Sequence, residues 1–156
     1  MTDAAAREKD ETHLFLADTT WSGDGAGCGK LHMSEGDITI DIGGSKKIGG
    51  CGVGANPEEL LLGAVGACFI NTWAIFLKKL NVTYAEPSLR VTGKLGKDPA
   101  GGYRMQEMTV HARVPASLMA DQKTQLEKTL QLAEKYCIIS KVTKTAMPMK
   151  VAVEEV

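Results

Sequence analysis

Two cysteines, Cys68 and Cys137, are the residues of this chain best suited to do chemistry, and each lies in a segment with helical periodicity. A thiolate is both a nucleophile and a redox centre, and two thiols that meet can close a disulfide. A free cysteine on a buried helix face is also commonly a small hydrophobic side chain that reacts with nothing. Taken alone, the two residues favour this packing role. The choice between packing and redox chemistry therefore depends on the surrounding sequence.

Two smaller patterns suggest other chemistry. Cys28, His32 and Cys51 are potential metal ligands, but their spacing matches no compact zinc pattern, and His32 is expected to point outwards from a strand. The segment from Gly50 to Ala55 has the form G-x-G-x-x-A of a dinucleotide fingerprint and precedes a helical segment. No acidic residue follows about 20 positions later, and no parallel strand follows. The sequence therefore predicts a flexible hinge there, with no bound metal and no cofactor.

The length and composition predict one globular protein in a reducing compartment. The chain has 156 residues, a formal net charge of -1 and 44% hydrophobic residues, which is enough for one core. This near-neutral balance gives no reason to expect nucleic acid or an anionic membrane as a partner. Four cysteines without a secretory signal predict thiols, ligands or redox centres rather than structural disulfides. We expect a flexible tail at residues 1–11, a single domain at 12–156 and a cytoplasmic location.

The segment from Asn56 to Leu80 must position Cys68. It opens with Asn-Pro-Glu-Glu, which is typical of the start of a helix. From Leu60 to Leu77 it has 18 consecutive uncharged residues, which reaches the lower limit for a membrane span. The small residues at its start and the polar residues at its centre favour a core helix that is covered on every side. Because one domain of this size would struggle to cover such a helix alone, we expect a dimer.

The remaining segments are typical of strands and of one further helix. Strands are predicted at residues 12–21, 31–34, 37–42, 83–97, 103–114 and 147–156, with a glycine-rich loop at 43–55. A second helix follows Pro115, with Leu126, Leu130, Ala133 and Cys137 on its buried face. The order is three strands, a long helix, two strands, a helix and one strand. It predicts an α+β fold without βαβ alternation or an internal repeat.

Three blocks of the sequence resemble the OsmC/Ohr family of thiol-dependent hydroperoxide reductases. They are Asn-Pro-Glu-Glu-Leu from Asn56, Gly-Ala-Cys-Phe around Cys68, and the segment from Ala133 to Lys141 that contains Cys137. The first two blocks, at this separation, are a specific signal. The residues 21–25, Trp-Ser-Gly-Asp-Gly, and the strand order agree, so the resemblance covers almost the whole chain after the tail.

The resemblance implies an intertwined homodimer, in which antiparallel sheets surround long central helices and the active sites lie at the interface. By position, it implies that Cys68 is the peroxidatic cysteine and Cys137 the resolving cysteine. The Cys68 thiolate would reduce an organic hydroperoxide and become a sulfenic acid, Cys137 would close a disulfide with it, and an external dithiol would restore both. Bulky organic hydroperoxides would fit an apolar site lined by Phe69 and Trp73.

Such a mechanism needs a cation that activates Cys68. An apolar setting raises the pKa of a thiol, and Cys68 lies ten residues after Glu58, ~15 Å along a straight helix, so the helix dipole offers little. In the family the cation is an arginine held by the glutamate that matches Glu58. This chain has no arginine between residues 7 and 90, so Lys47, or its neighbour Lys46, is the expected substitute.

The missing arginine leaves a second interpretation open. The chain would then be an OsmC-like protein that is not a peroxidase, and its thiols would bind a small ligand or a metal, or only pack. A peroxidase is expected to lose its thiols rapidly as an organic hydroperoxide is added, whereas a binding protein is expected to stay reduced.

Overall fold

The computed structural model describes residues 12–156, so the predicted tail at residues 1–11 lies outside it. The described chain has an α+β fold, as predicted, with six strands, three α-helices and one short 3-10 helix. The strands form two three-stranded sheets. The chain divides into two compact units between Pro57 and Glu58, and each unit contains one sheet.

The N-terminal unit contains an antiparallel sheet of β1 (Ala17–Ser22), β2 (Cys28–Met33) and β3 (Ile38–Gly43). The predicted hairpin between β2 and β3 is confirmed. β2 begins earlier than predicted, because its first residues pair with the end of β1. β1 is shorter than predicted: Leu14 and Leu16 precede it and are 84% and 62% exposed.

The loop at residues 44–55 has a defined backbone path. It contains a 3-10 helix, Lys46–Ile48, whose N-cap Ser45 accepts a hydrogen bond at 3.3 Å from the N–H of Lys47. Gly52 has a φ of +64°, a conformation that glycine adopts without strain. At the end of the loop the Ala55 N–H donates to the backbone oxygen of Asp41 at 2.9 Å. The predicted hinge is therefore a loop with backbone hydrogen bonds.

Cys28 and Cys51 form a disulfide that joins the start of β2 to this loop. The prediction of thiols, ligands or redox centres rather than structural disulfides is therefore wrong for these two cysteines. The alternative metal site is also wrong, because the two sulfurs are bonded to each other and His32 Nδ1 lies 3.0 Å from Thr39 Oγ1. The spacing of 23 positions carried no signal, since only the fold of the hairpin and loop brings the two cysteines together.

We expect loss of this disulfide to weaken the N-terminal unit. Among residues 12–57 only Gly43 is buried, so the sheet lacks an apolar core of its own within one chain. A cross-link over 23 positions corresponds to about 3 kcal/mol in the chain-entropy model. In the double variant Cys28→Ser/Cys51→Ser, amide hydrogen exchange should therefore speed up at least tenfold in β2, β3 and the loop, as measured by mass spectrometry. Exchange that remains at the wild-type rate in these segments would contradict this prediction.

The C-terminal unit is built from α1 (Pro57–Lys79), β4 (Ser88–Lys97), β5 (Tyr103–Val114), α2 (Ala116–Tyr136), α3 (Ile138–Ala146) and β6 (Met149–Glu155). β4 pairs antiparallel with β5, whereas β6 pairs parallel with β5. We expected antiparallel sheets and no βαβ alternation. The parallel pairing of β5 and β6 contradicts both expectations. A helical crossover returns the chain in its original direction, so β5, the two helices and β6 form one βαβ unit.

The predicted long helix is confirmed within one residue at each end, but the predicted second helix is two helices. The chain leaves the helical conformation at Cys137, which has φ -61° and ψ 117°. Cys137 ends α2 and serves as the N-cap of α3, where its Sγ accepts a hydrogen bond from the Ser140 N–H at 3.4 Å. Because a thiol takes the place of the usual hydroxyl or carboxylate cap, this break has little signal in the sequence.

One face of α1 packs into the core of the C-terminal unit. Val65, Phe69 and Trp73 have no exposed surface on this face, and Trp73 Nε1 donates to Thr129 Oγ1 of α2 at 2.8 Å. Gly66 lets the helix approach β4 closely, since an added Cβ would lie 3.3 Å from Val91. These contacts fix the position of α1, which carries Cys68, against the sheet of the C-terminal unit.

The opposite face of α1 is exposed to solvent in a single chain. The prediction that this helix is buried on every side therefore holds for one face only. Its exposed residues recur at helical spacing and are mostly small: Gly63, Ala64, Ala67, Asn71, Ala74 and Ile75. Among the described residues, α1 is the one helix long and apolar enough to cross a membrane, and 22% of its most apolar 18-residue stretch is buried. A core helix of a soluble protein can have the same length and composition.

Candidate active site

The structure places Cys68 against the core cluster that contains Cys137, and the two thiols are near enough for Cys68 to raise the pKa of the Cys137 thiol. Cys68 lies in the middle of α1, and Cys137 lies at the junction of α2 and α3. Both belong to the C-terminal unit, and both are free cysteines. Two neighbouring free thiols are candidates for a redox pair.

The two thiols differ in burial and in ionisation. Cys68 is partly exposed, whereas Cys137 has no exposed surface. Burial raises the pKa of the Cys137 thiol above its ordinary value, and its hydrogen bond to Cys68 and the charge of Cys68 raise it further. The side chain and N–H of Ser140 lower this pKa without cancelling the rise. At neutral pH Cys137 is therefore a neutral thiol that can donate its proton towards Cys68.

The backbone around Cys68 is held by its own helix. The Thr72 hydroxyl donates to the Cys68 carbonyl oxygen at 2.8 Å, and the adjacent Phe69 is fully buried. We expected Phe69 and Trp73 to line an apolar substrate site. Both have no exposed surface and belong to the core, so within one chain they anchor α1 and offer no open surface.

Glu58 lies in the first turn of α1 and has an unusual environment. Its Oε2 atom is buried and has no hydrogen-bond partner among residues 12–156. A buried carboxylate oxygen is costly unless a donor or a cation accompanies it. The atom thus marks a position that a positive group would satisfy, which is the role that the resemblance implied for a glutamate here.

The two candidate lysines lie in the N-terminal unit, on the 3-10 helix Lys46–Ile48, and both are exposed. The aliphatic part of the Lys46 side chain lies against Gly52, where an added Cβ would collide with it. The assignment of Lys47 as the cation that activates Cys68 stays a prediction.

Ser140 is the residue of this site that the interpretation of the sequence missed. Its side chain has no exposed surface, and its Oγ has no hydrogen-bond partner among the described residues. It lies in the first turn of α3, three residues after Cys137. A Cys-x-x-Ser spacing at the start of a helix is the signal that would have found it, because the N-cap side chain faces the third helical residue.

A family model and the names of similar proteins indicate the same family. The family model described as OsmC-like protein matches residues 49–152, well over half of the chain. "Organic hydroperoxide resistance protein-like 1" of Staphylococcus epidermidis is 29% identical over 128 residues, which cover 82% of this chain and 88% of that protein. The protein of the same name from Staphylococcus saprophyticus is 32% identical over 91 residues, which cover 58% of this chain and 62% of that protein.

Solved structures share the fold. The organic hydroperoxide resistance protein OsmC from Legionella pneumophila has a TM-score of 0.74 at 19% identity and covers 92% of this chain and 98% of its own. The organic hydroperoxide resistance protein OhrB of Bacillus subtilis has a TM-score of 0.66 at 22% identity, with 91% and 100% covered. At these identities the likeness concerns the fold. Together with the family match and the motifs around Cys68 and Cys137, it shows that the chain belongs to the OsmC-like protein family.

Proposed function

We propose that this chain is a thiol-dependent hydroperoxide reductase that acts on organic hydroperoxides. The observation that carries the proposal is that a partly exposed thiol, Cys68, packs against the core cluster that contains a fully buried thiol, Cys137. The names of relatives from two Staphylococcus species support the substrate class, since both refer to organic hydroperoxide resistance.

The difference in burial supports the proposed roles of the two cysteines. A hydroperoxide can reach the partly exposed Cys68, whose thiolate attacks the O–O bond, releases an alcohol and becomes a sulfenic acid. Cys137 needs to reach only Cys68, so full burial does not hinder it. It forms the S–S bond as the sulfenic oxygen leaves as water, and an external dithiol then reduces the disulfide. The two electrons come from thiols throughout, so the cycle requires neither a cofactor nor a metal.

A second copy of the chain is part of this proposal. The exposed face of α1 is apolar and mostly small, and the N-terminal sheet lacks a core of its own among residues 12–57. Both features are those of a surface that another protein chain covers. A homodimer, in which a second copy covers these surfaces, accounts for both features. The expected location is the cytoplasm, where dithiol reductants are present.

Stopped-flow oxidation of the protein by cumene hydroperoxide tests the proposal. The protein is first treated so that Cys68 and Cys137 are reduced, and the free thiols are then counted as the hydroperoxide is added. We expect rapid loss of both thiols at neutral pH, in proportion to the added hydroperoxide. Thiols that stay reduced would favour the alternative, an OsmC-like protein that binds a small ligand or a metal and lacks the activating arginine.

Removal of the candidate cation is expected to make Cys68 less reactive. In a Cys137→Ser background the Cys28–Cys51 disulfide leaves Cys68 as the one free thiol, so its alkylation rate can be followed against pH. We expect Lys47→Met to move the midpoint of this profile upwards by about one pH unit, since a nearby positive charge favours the thiolate.

Lys46→Met is the matched control, and we expect a smaller shift because the Lys46 side chain lies against Gly52. An unchanged profile in Lys47→Met would show that Lys47 is not the activating cation and would weaken the case for a peroxidase.

A further inference from the structure

We propose that the Ser140 hydroxyl stabilises the thiolate form of Cys137, and that it does so when Cys137 attacks the oxidised Cys68 and when Cys137 leaves on reduction. The position of Ser140, in the first turn of α3 and three residues after its N-cap Cys137, rests on the geometry of that helix. Its place in a reaction rests on the proposed function.

The first observation is a buried donor that lacks an acceptor. Ser140 has no exposed surface, and its Oγ has no hydrogen-bond partner among residues 12–156. A buried hydroxyl without a partner is uncommon and destabilising. The sulfur of a neutral thiol is a weak acceptor, whereas a thiolate is a charged one. The hydroxyl therefore gains its partner only when Cys137 ionises.

The second observation is the position of the Cys137 sulfur at the start of a helix. α3 has nine residues, Cys137 is its N-cap, and the Ser140 N–H donates to Cys137 Sγ at 3.4 Å. The partial positive charge at a helix N-terminus favours an anion at this place. The sulfur thus has one backbone donor in place and one side-chain donor three residues away, both of them fixed by the same helical turn.

The side chains that shift the pKa of the Cys137 thiol belong to two elements, α1 and α3. Burial and Cys68 of α1 raise the pKa of the Cys137 thiol, and the hydroxyl and N–H of Ser140 lower it. The Cys137 N–H donates to the Ala133 carbonyl oxygen of α2 at 2.8 Å, a contact that involves the backbone and not the sulfur. Ser140 is therefore the residue whose side chain opposes the effect of burial.

A more stable Cys137 thiolate is expected to speed both steps in which Cys137 reacts. To close the disulfide, Cys137 loses its proton and attacks the Cys68 sulfenic sulfur, so that the S–S bond forms, the S–O bond breaks, and hydroxide leaves and takes up a proton as water. A thiol whose pKa lies above the ambient pH gains more from a larger thiolate fraction than it loses in nucleophilicity. On reduction, an external dithiol attacks the Cys68 sulfur and Cys137 leaves as a thiolate, which is also faster when that thiolate is stabilised.

The test titrates Cys137 alone. In the Cys68→Ser variant, Cys137 is the one free thiol, and its thiolate is followed by ultraviolet absorbance against pH, with Cys68→Ser/Cys137→Ser as the blank that removes the tyrosine signal. Adding Ser140→Ala is expected to raise the midpoint by about one pH unit, because one charge-assisted hydrogen bond to the anion is lost. The matched control is Thr143→Val, which removes another buried hydroxyl of α3, one that donates to the Ile139 carbonyl oxygen at 2.7 Å. It should leave the midpoint unchanged.

A midpoint that Ser140→Ala leaves unchanged or lowers would overturn the inference. A purely structural role predicts a lower free energy of unfolding with no shift in the midpoint. We expect the reverse, a shift without loss of stability below that midpoint, since the removed hydroxyl had no partner. The titration uses no hydroperoxide, so failure of the proposed peroxidase activity would not imitate failure of this inference. In otherwise wild-type protein, Ser140→Ala should form the Cys68 sulfenic acid at the normal rate and close the disulfide about three- to fourfold more slowly, because the tenfold smaller thiolate fraction is partly offset by a more nucleophilic thiolate.

Discussion

Replacing Cys68 by serine is expected to abolish hydroperoxide consumption, whereas replacing Cys137 by serine is expected to allow one reaction for each chain. A serine hydroxyl stays protonated at neutral pH and is a poor nucleophile towards the O–O bond, so the rate should fall by roughly three orders of magnitude or more. Cys137→Ser keeps the attacking thiol and removes the one that resolves the product. The variant should therefore stall as a Cys68 sulfenic acid.

The two variants control for each other, because both remove one sulfur from the same contact. Consumption of cumene hydroperoxide gives the first readout, and mass spectrometry after trapping with dimedone locates the sulfenic acid. The adduct is expected on Cys68 of Cys137→Ser, while Cys68→Ser should give none. Equal residual turnover in both variants would contradict the assignment of roles. An adduct on Cys137 in Cys68→Ser would reverse that assignment.

Local signals in the sequence were sufficient for α1 and for the α+β class. The Asn-Pro-Glu-Glu start fixes the helix N-terminus within one residue, and the apolar run that follows fixes its length. The contact between Cys68 and Cys137 required more than periodicity, because it joins two segments far apart in the chain. The family resemblance supplied the pair, and the structure supplied the asymmetry in burial between its members.

The features that the sequence did not reveal depend on tertiary structure. The break between α2 and α3 is made by a cysteine acting as N-cap, a residue type that carries little capping preference. The Cys28–Cys51 disulfide joins a strand to a loop, and no spacing rule relates those positions. The missing partner of Ser140 has no signal in the sequence, because it depends on which polar atoms the fold brings near the buried hydroxyl. Each of these features depends on which groups the fold brings together.

The exposed face of α1 leads to the other large prediction, which is that Ala74→Glu converts a dimer into a monomer. Ala74 is exposed and lies on the face with Gly63, Ala67 and Asn71, where small side chains would let a partner chain approach closely. In a two-fold dimer the substitution would place two carboxylates in one apolar interface. Burying an unpaired charge costs several kcal/mol, so the dissociation constant should rise by roughly a thousandfold or more.

The variant is chosen so that the isolated chain still folds. A glutamate at position 74 lies four residues before Lys78, and a Glu–Lys pair in this order and at this spacing stabilises a helix in water. Loss of the dimer would therefore reflect the interface and not a broken helix. Ala120→Glu is the matched control, because it makes the same change at an exposed position of α2.

Light scattering coupled to size exclusion at micromolar concentration measures the outcome. We expect a dimer for the wild type and for Ala120→Glu, and a monomer with wild-type helical content for Ala74→Glu. A wild-type monomer would contradict the homodimer itself, and an Ala74→Glu dimer would place the interface on another surface. Since the resemblance puts the active sites at the subunit interface, hydroperoxide consumption should fall together with the dimer. Activity that persists in the monomer would show that Cys68 and Cys137 of one chain are sufficient.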